Sequence, residues 1–177
     1  MKILAIKSSP RDKGNTNTII DNITAGISGK EVIEYNLDKL QYRGCNACRV
    51  CKEKDCYCVI NDDLSEYWEN LVEADVLIIG SPNYMGNICG TLKSFIDRHY
   101  CTKDKNMISK LKPNKRVILV FSQGKADKEY YMNNYEGLKK YLETHEMKVE
   151  MIIHSGHDHV TADQEFLKEC FLLGQNI

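Results

Sequence analysis

Three stretches of this 177-residue chain are apolar without interruption: Ile3-Leu4-Ala5-Ile6, Val76-Leu77-Ile78-Ile79 and Val117-Ile118-Leu119-Val120-Phe121. A strand with one wet face alternates apolar and polar residues, whereas a strand buried on both faces does not. Such runs therefore call for the middle of a parallel sheet covered by helices on both sides. The segments between them supply those helices. Ile19, Ile20, Ile23 and Ile27 share one face of a helix predicted over about Asn15 to Ser28. Leu64, Tyr67, Trp68, Leu71 and Val72 mark a second helix opening at Asp63, at spacings of three and four residues. Leu92, Phe95 and Ile96 mark a third helix, and Tyr131, Tyr135, Leu138 and Leu142 a fourth. Phe166 to Leu173 reads as a closing helix that ends near Gly174.

Two further strands complete the pattern. Val32 to Leu37 alternates and suits a sheet edge, and Val149 to Ile153 follows the fourth helix. Strict βα alternation with five strands fits the flavodoxin-like order 2-1-3-4-5, a three-layer α/β sandwich. The length suits one domain, residues 1–177, with a full core. One connection breaks the rhythm: Asp38 to Asp62 has neither helical nor strand period. Loops beyond about 12–15 residues are uncommon in compact domains unless they bind something.

That loop holds five of the eight cysteines, as Cys45-x2-Cys48-x2-Cys51-x4-Cys56-x-Cys58. Three thiols at successive three-residue steps can converge on one side of a tight helical turn. A fourth from a few residues on can close a tetrahedral cage. The run from Cys45 to Cys56 differs by one residue from the C-x2-C-x2-C-x3-C ligand run of bacterial ferredoxins. The reading is an iron–sulfur centre of the 4Fe–4S kind. Zinc is the rival, though structural zinc sites draw two separated pairs, which would leave Cys51 surplus and make Cys56-x-Cys58 a poor second knuckle. Free or redox-active thiols and a disulfide knot are the remaining readings. Against the knot, eight cysteines in 177 residues is about half the density of a secreted disulfide scaffold.

Charge and leader signals bound the setting. The net charge of −1 supplies no global field to recruit nucleic acid or an anionic membrane. The apolar stretch after Met1 is too short for a signal peptide, and no run approaches the roughly 20 residues of a membrane-spanning helix. A reducing, cytoplasmic setting is expected.

Two loops at strand ends suggest a ligand. After the first strand comes Ser8-Ser9-Pro10-Arg11-Asp12-Lys13-Gly14-Asn15-Thr16-Asn17-Thr18, opening directly into a helix. Free N–H groups at a helix N-terminus form an anion site. Ser9, Asn15, Thr16 and Thr18 can donate, Asn17 stands beside them, and Arg11 or Lys13 can add charge. Neither G-x-G-x-x-G nor G-x4-G-K-S/T is present, which counts against the usual dinucleotide and P-loop readings. A plain N-cap with polar flanks is the alternative. The loop Ser81-Pro82-Asn83-Tyr84-Met85-Gly86-Asn87 follows the central third strand, where open α/β sheets place ligands. Its Pro, Gly and Tyr suit a flat ring, and Ser122-Gln123-Gly124 after the fourth strand would close the other edge. A phosphate beside a ring describes a mononucleotide, and FMN is the one this fold commonly holds.

The segments Ser9-Pro10-Arg11, Gly14-Asn15-Thr16, Ser81 to Gly86 and Leu92-Lys93-Ser94-Phe95-Ile96-Asp97-Arg98 resemble the NADPH-dependent FMN reductase superfamily. The cysteine cluster followed by Val59-Ile60-Asn61-Asp62-Asp63-Leu64 is similar to its iron–sulfur flavoprotein branch. The resemblance implies a flavodoxin-like fold, FMN, a 4Fe–4S cluster near the flavin and a homodimer or homotetramer. It assigns the phosphate to Ser9, Arg11, Asn15 and Thr16, and the ring to Pro82, Asn83, Tyr84, Met85 and Gly86. It also favours Cys58 over Cys56 as fourth ligand, because the family's last cysteine precedes Val-Ile-x-Asp-Asp.

The expected activity is that of an FMN-dependent oxidoreductase. It would take electrons from NAD(P)H or a reduced ferredoxin-like carrier and pass them to a small-molecule or protein acceptor. A nicotinamide-dependent FMN or quinone reductase without a cluster is a second reading, and a non-enzymatic electron carrier or redox sensor a third. No catalytic side chain is expected, because the cofactor supplies the reactivity. Cys89 and Cys170 read as buried small hydrophobes, Cys101 as a residue that could reach a neighbouring subunit, and His154, His157 and His159 as a solvated turn.

Overall fold

The computed structural model describes residues 1–177. Strands β1 (Lys2–Lys7), β2 (Glu31–Asn36), β3 (Val76–Tyr84), β5 (Arg116–Gln123) and β6 (Lys148–Ser155) form a parallel sheet in the order β2-β1-β3-β5-β6. Counted over the parallel strands, that is the expected 2-1-3-4-5. The two-residue strand β4 (Asn87–Ile88) folds back antiparallel on the end of β3.

Successive side chains on a strand point to opposite faces, so each central strand feeds two cores. Ile3, Ala5, Val76, Ile78, Ile118 and Val120 pack against α1 (Asn15–Gly26) and α6 (Gln164–Gln175). Leu4, Ile6, Leu77, Ile79, Leu119 and Phe121 pack on the other side with α3 (Tyr67–Glu73), α4 (Gly90–Arg98) and α5 (Met132–Glu143). The uninterrupted apolar runs are thus strands buried on both faces. Strand β2 buries only Tyr35, as its alternation and edge position require.

Several boundaries move for identifiable reasons. Helix α3 begins at Tyr67 rather than Asp63, because the Asp63 carboxylate accepts the Gln41 N–H at 2.7 Å and is not free to cap it. Strand β3 runs on through Asn83 and Tyr84 into a two-residue hairpin. Met85 and Gly86 at its tip have φ of 52° and 84°, the positive values that a type I′ turn demands. The long connection contains one helical turn, α2 (Val50–Glu53).

Helix α6 continues through Gly174 to Gln175, so that glycine is not a terminator. It lies where α6 crosses α1. A Cβ on Gly174 would stand 1.9 Å from the Ile23 carbonyl oxygen, and one on Gly26 would stand 2.1 Å from that of Phe171. Gly174→Ala is therefore expected to destabilise the fold by about 1–3 kcal/mol, the usual cost of overpacking. Gly137→Ala, in an α5 position with nothing within 4 Å, should instead gain about 0.5–1 kcal/mol from helix propensity. Urea denaturation of the two variants checks both signs.

Candidate functional site

The C-terminal ends of β1, β3 and β5 open into a cleft of about 480 Å³. Its floor is made close by Gly80, where a Cβ would meet Ile20 Cδ1 at 2.5 Å and Thr16 Cγ2 at 2.7 Å. That glycine lets α1 press its first turn against β3. Gly14 caps α1 without a side-chain acceptor, and no acidic residue stands in the first turn. The amides of that turn and the positive end of the helix dipole are left for a ligand. Gly14 is itself confined, with Arg11 Cβ 3.0 Å and Ser9 Oγ 3.2 Å from where its Cβ would be. Across the cleft, Thr16 Oγ1 and Ser122 Oγ are 2.7 Å apart.

Nine of the twelve residues expected to hold the cofactor line this cleft: Ser9, Arg11, Asn15, Thr16, Pro82, Asn83, Tyr84, Ser122 and Gly124. The other three stand outside. Asn17 is buried beneath the loop and donates to the Arg11 carbonyl at 3.1 Å and the Ser9 carbonyl at 3.4 Å, so it shapes the loop. Met85 projects into solvent and Gly86 serves the hairpin tip, where its backbone packs beside Tyr131.

Two of the nine have side chains bonded to residues outside that set. Asn83 donates to the Tyr135 hydroxyl at 2.8 Å and accepts the Gly86 N–H at 3.1 Å. Tyr135, stacked on Phe121 at 4.0 Å between centroids, donates its own hydroxyl proton to Gln123 Oε1 at 2.9 Å. This chain ties the C-terminal ends of β3 and β5 together through α5. Asn15 accepts the Val160 N–H at 3.0 Å and donates to the Asp158 carbonyl at 3.1 Å. Its side chain is therefore committed, and its backbone N–H is what it leaves facing the cleft.

The histidine turn is not merely solvated. His159 Nε2 lies 2.7 Å from the Lys13 carbonyl, and His157 stands over Gly124 on the cleft wall. His154 is buried under Asn15, with 3.4 Å between their nitrogens, and burial pulls its pKa down. Sequence reasoning missed this because the turn is remote in the chain. It reaches the loop through tertiary contacts of the segment that follows β6.

The cysteine loop occupies the opposite end of α4. Cys45, Cys48, Cys51 and Cys58 line one small hollow, together with Cys101 and Arg98. Cys56 does not line it; its sulfur is turned towards the Val50 carbonyl at 3.9 Å. No three His, Cys, Asp or Glu side chains converge as ligands of a single ion. Cys101 is buried, not directed to a neighbouring subunit, and burial beside Cys58 pushes its thiol pKa up to about 12. Ala47, Arg49 and Asp55 all have positive φ, a costly conformation for side-chain-bearing residues. Cations tie this loop to residues 100–110. Lys52 Nζ donates to the carbonyls of Tyr100 and Lys103 at 2.6 and 2.5 Å, and Lys110 Nζ donates to that of Cys56 at 2.8 Å.

A doubly covered parallel sheet in this strand order, with a cleft at the C-terminal ends of its central strands, defines a flavodoxin-like protein. The pattern of the family described as NADPH-dependent FMN reductase matches residues 1–152, and the chain belongs to that family. An iron-sulfur flavoprotein of Methanosarcina thermophila is 36% identical over 114 residues, 63% of this chain and 59% of that one. Another, from Methanocaldococcus jannaschii, is 35% identical over 109 residues, 60% of this chain and 54% of its own. The chain thus spans little more than half the length of these curated relatives. Among solved structures, an NAD(P)H:quinone oxidoreductase from Methanothermobacter marburgensis superposes with a TM-score of 0.79 at 15% identity, over 99% of this chain and 96% of that one. An azoreductase from Bacillus anthracis superposes over the whole of both chains with a TM-score of 0.73 at 14% identity. At those identities the likeness establishes the fold.

Beneath the cysteine hollow, His99 packs edge-on against Tyr67, Trp68 and Phe95. Its Nδ1–H donates to the Phe95 carbonyl at 3.1 Å and its Nε2 accepts from the Tyr67 hydroxyl at 2.8 Å. Complete burial, with Arg98 adjacent, lowers its pKa from 6.5 to about 4. Between those values the unfolded chain binds a proton that the folded one does not, so stability rises with pH through the window. Acidifying from pH 6.5 to 4 should cost about 3 kcal/mol through this residue alone. His99→Gln cannot titrate, and its denaturation profile should lack that part of the pH slope.

Proposed function

We propose that the cleft binds FMN and that the protein is an FMN-dependent oxidoreductase and electron-transfer flavoprotein. The observation that carries this reading is the first turn of α1, uncapped and free of acidic residues, facing a cleft of nucleotide size beside Tyr84. The residues fit the group. Backbone N–H groups of Asn15 and Thr16, with the hydroxyls of Ser9 and Thr16, would hold a phosphate, and Arg11 would add charge. The backbone from Pro82 to Tyr84 and the Ser122–Gly124 turn would border the ring. Bound FMN would supply the hydride and single-electron chemistry; the chain fixes its position and limits water on one side.

In the same reading, Cys45, Cys48, Cys51 and Cys58 hold a 4Fe–4S cluster that relays electrons between the flavin and an acceptor. Four thiols around one hollow, with Cys56 turned away, support that ligand set over one containing Cys56. The donor is NAD(P)H or a reduced ferredoxin-like carrier. A second reading, a nicotinamide-dependent FMN or quinone reductase whose cysteines hold no cluster, is favoured by one observation. Lys52, Lys110 and Arg98 pin the loop through backbone carbonyls, without recourse to its thiols for most of those bonds.

Anaerobic purification with flavin, iron and sulfide quantitation separates these readings. About one FMN per chain is expected, and Thr16→Val should weaken flavin binding about tenfold, since a hydrogen bond to a charged acceptor is worth roughly 1.5–3 kcal/mol. Undiminished affinity would remove Thr16 from the phosphate site. Cys58→Ala should lose the iron that Cys56→Ala keeps; the reverse result would exchange their roles, and wild-type protein with flavin but no iron would leave the second reading.

The proposal extends to assembly as a homodimer or homotetramer, in which a neighbouring copy completes the open side of the cleft. Light scattering at micromolar concentration should give a mass at least twice the 20.3 kDa of one chain. A stable monomer with full activity would contradict it.

A further inference from the structure

Arg98 is the largest fully buried side chain of the molecule and ends α4 at the wall of the cysteine hollow. Its donors are allotted one by one. Nη1 donates to Asp62 Oδ2 at 2.7 Å and to the Arg43 carbonyl at 3.0 Å. Nη2 donates to Asp62 Oδ1 and the Ile60 carbonyl, each at 3.4 Å. Nε, the remaining N–H, donates to Cys58 Sγ at 3.0 Å. The guanidinium also lies 5.7 Å from the centre of the Trp68 ring, which screens it from water on that side.

A neutral thiol is a weak acceptor, whereas a thiolate takes a charge-assisted bond. Burying a guanidinium is costly unless every donor is well used. Directing its last N–H at a sulfur is favourable when that sulfur carries negative charge. The geometry points to Arg98 as a residue that sets the reduction potential of the cysteine cage, by holding Cys58 and opposing the negative charge that reduction adds, with Asp62 tempering its effect. This rests on the cluster reading proposed above. The step is a one-electron reduction by an external one-electron donor. No bond forms or breaks, no proton moves, and the cage gains one negative charge. Hydrogen bonds to cluster sulfurs and local net charge are among the levers that set such potentials. A positive group against the sulfur stabilises the reduced form and raises the potential; the Asp62 carboxylate, 11% exposed, works against it.

The test is a dithionite-poised redox titration of anaerobically purified protein, followed by EPR, with iron counted in every sample. Arg98→Gln should lower the cluster potential, raising the oxidised-to-reduced ratio at fixed poise about tenfold, or ~59 mV for one electron. Arg98→Lys, which keeps the charge but loses the directed N–H, should move it the same way by less. Asp62→Asn should shift it upward. Opposite signs are the decisive feature, because a purely structural role would not give them. Identical potentials in all variants, or shifts of one sign, would overturn the proposal. Should Arg98→Gln fail to fold, the contrast between Arg98→Lys and Asp62→Asn carries the same test. Wild-type protein without iron would give no cluster signal to titrate, so failure of the cluster reading is distinct from failure of the role given to Arg98.

Discussion

A parallel sheet whose inner strands are buried on both faces has no freedom to leave either face open. Here β1, β3 and β5 bury all but their ends, and each right-handed crossover must return a helix to one side or the other. That demand fixes α1 and α6 on one face and α3, α4 and α5 on the other. It also leaves the loops at the strand C-termini as the ready place for a ligand, at the point where the strand order turns back on itself. The cleft and the cysteine hollow are both products of this constraint. Helix α4 connects them: Cys89, before its first turn, donates its N–H to Ser81 under the cleft at 2.9 Å, and Arg98 at its far end meets Cys58. Nine residues of helix separate the two by about 14 Å of rise.

The two sites are stabilised differently. The cleft rests on neutral partners: the Asn83–Tyr135–Gln123 chain, the Thr16–Ser122 pair and the tight glycines at 14 and 80. The cysteine loop, with only the short α2 for regular structure, is tied down by cations that donate to carbonyl oxygens. Lys110 and Arg98 donate to those of Cys56, Arg43 and Ile60 within the loop, and Lys52 donates from the loop to those of Tyr100 and Lys103. Lys52 keeps its ammonium under Tyr100 with that ring 4.0 Å away, and burial lowers its pKa. Unpaired carbonyls and a left-handed backbone would otherwise make this stretch costly to order.

Periodicity revealed the doubly buried strands and the helix faces, since these are local patterns of burial, and the sheet order followed from matching strict βα alternation to a known architecture. Residue types at strand ends pointed to the cleft, and nine of the twelve residues named from them line it. Met85 and Gly86 stand outside the cleft at a hairpin tip, and a glycine-bearing loop and a glycine-bearing hairpin tip read alike in one dimension. Asn17 lies beneath the loop, and nothing in the sequence shows which side of a helix faces the loop above it. His157 and His159, Tyr135 and the thiol of Cys101 reach their sites only through tertiary contacts between distant segments, which spacing does not encode.

The stretch that matches the family ends at residue 152, yet the first helix is held in place by the residues beyond that point. Gly174 admits α6 against α1, and the turn from Asp158 to Val160 grips Lys13 and Asn15. The loop after β1 and its backing are therefore separable in the chain. A sequence change in the last two dozen residues could retune the shape of that loop while altering no residue of the loop itself.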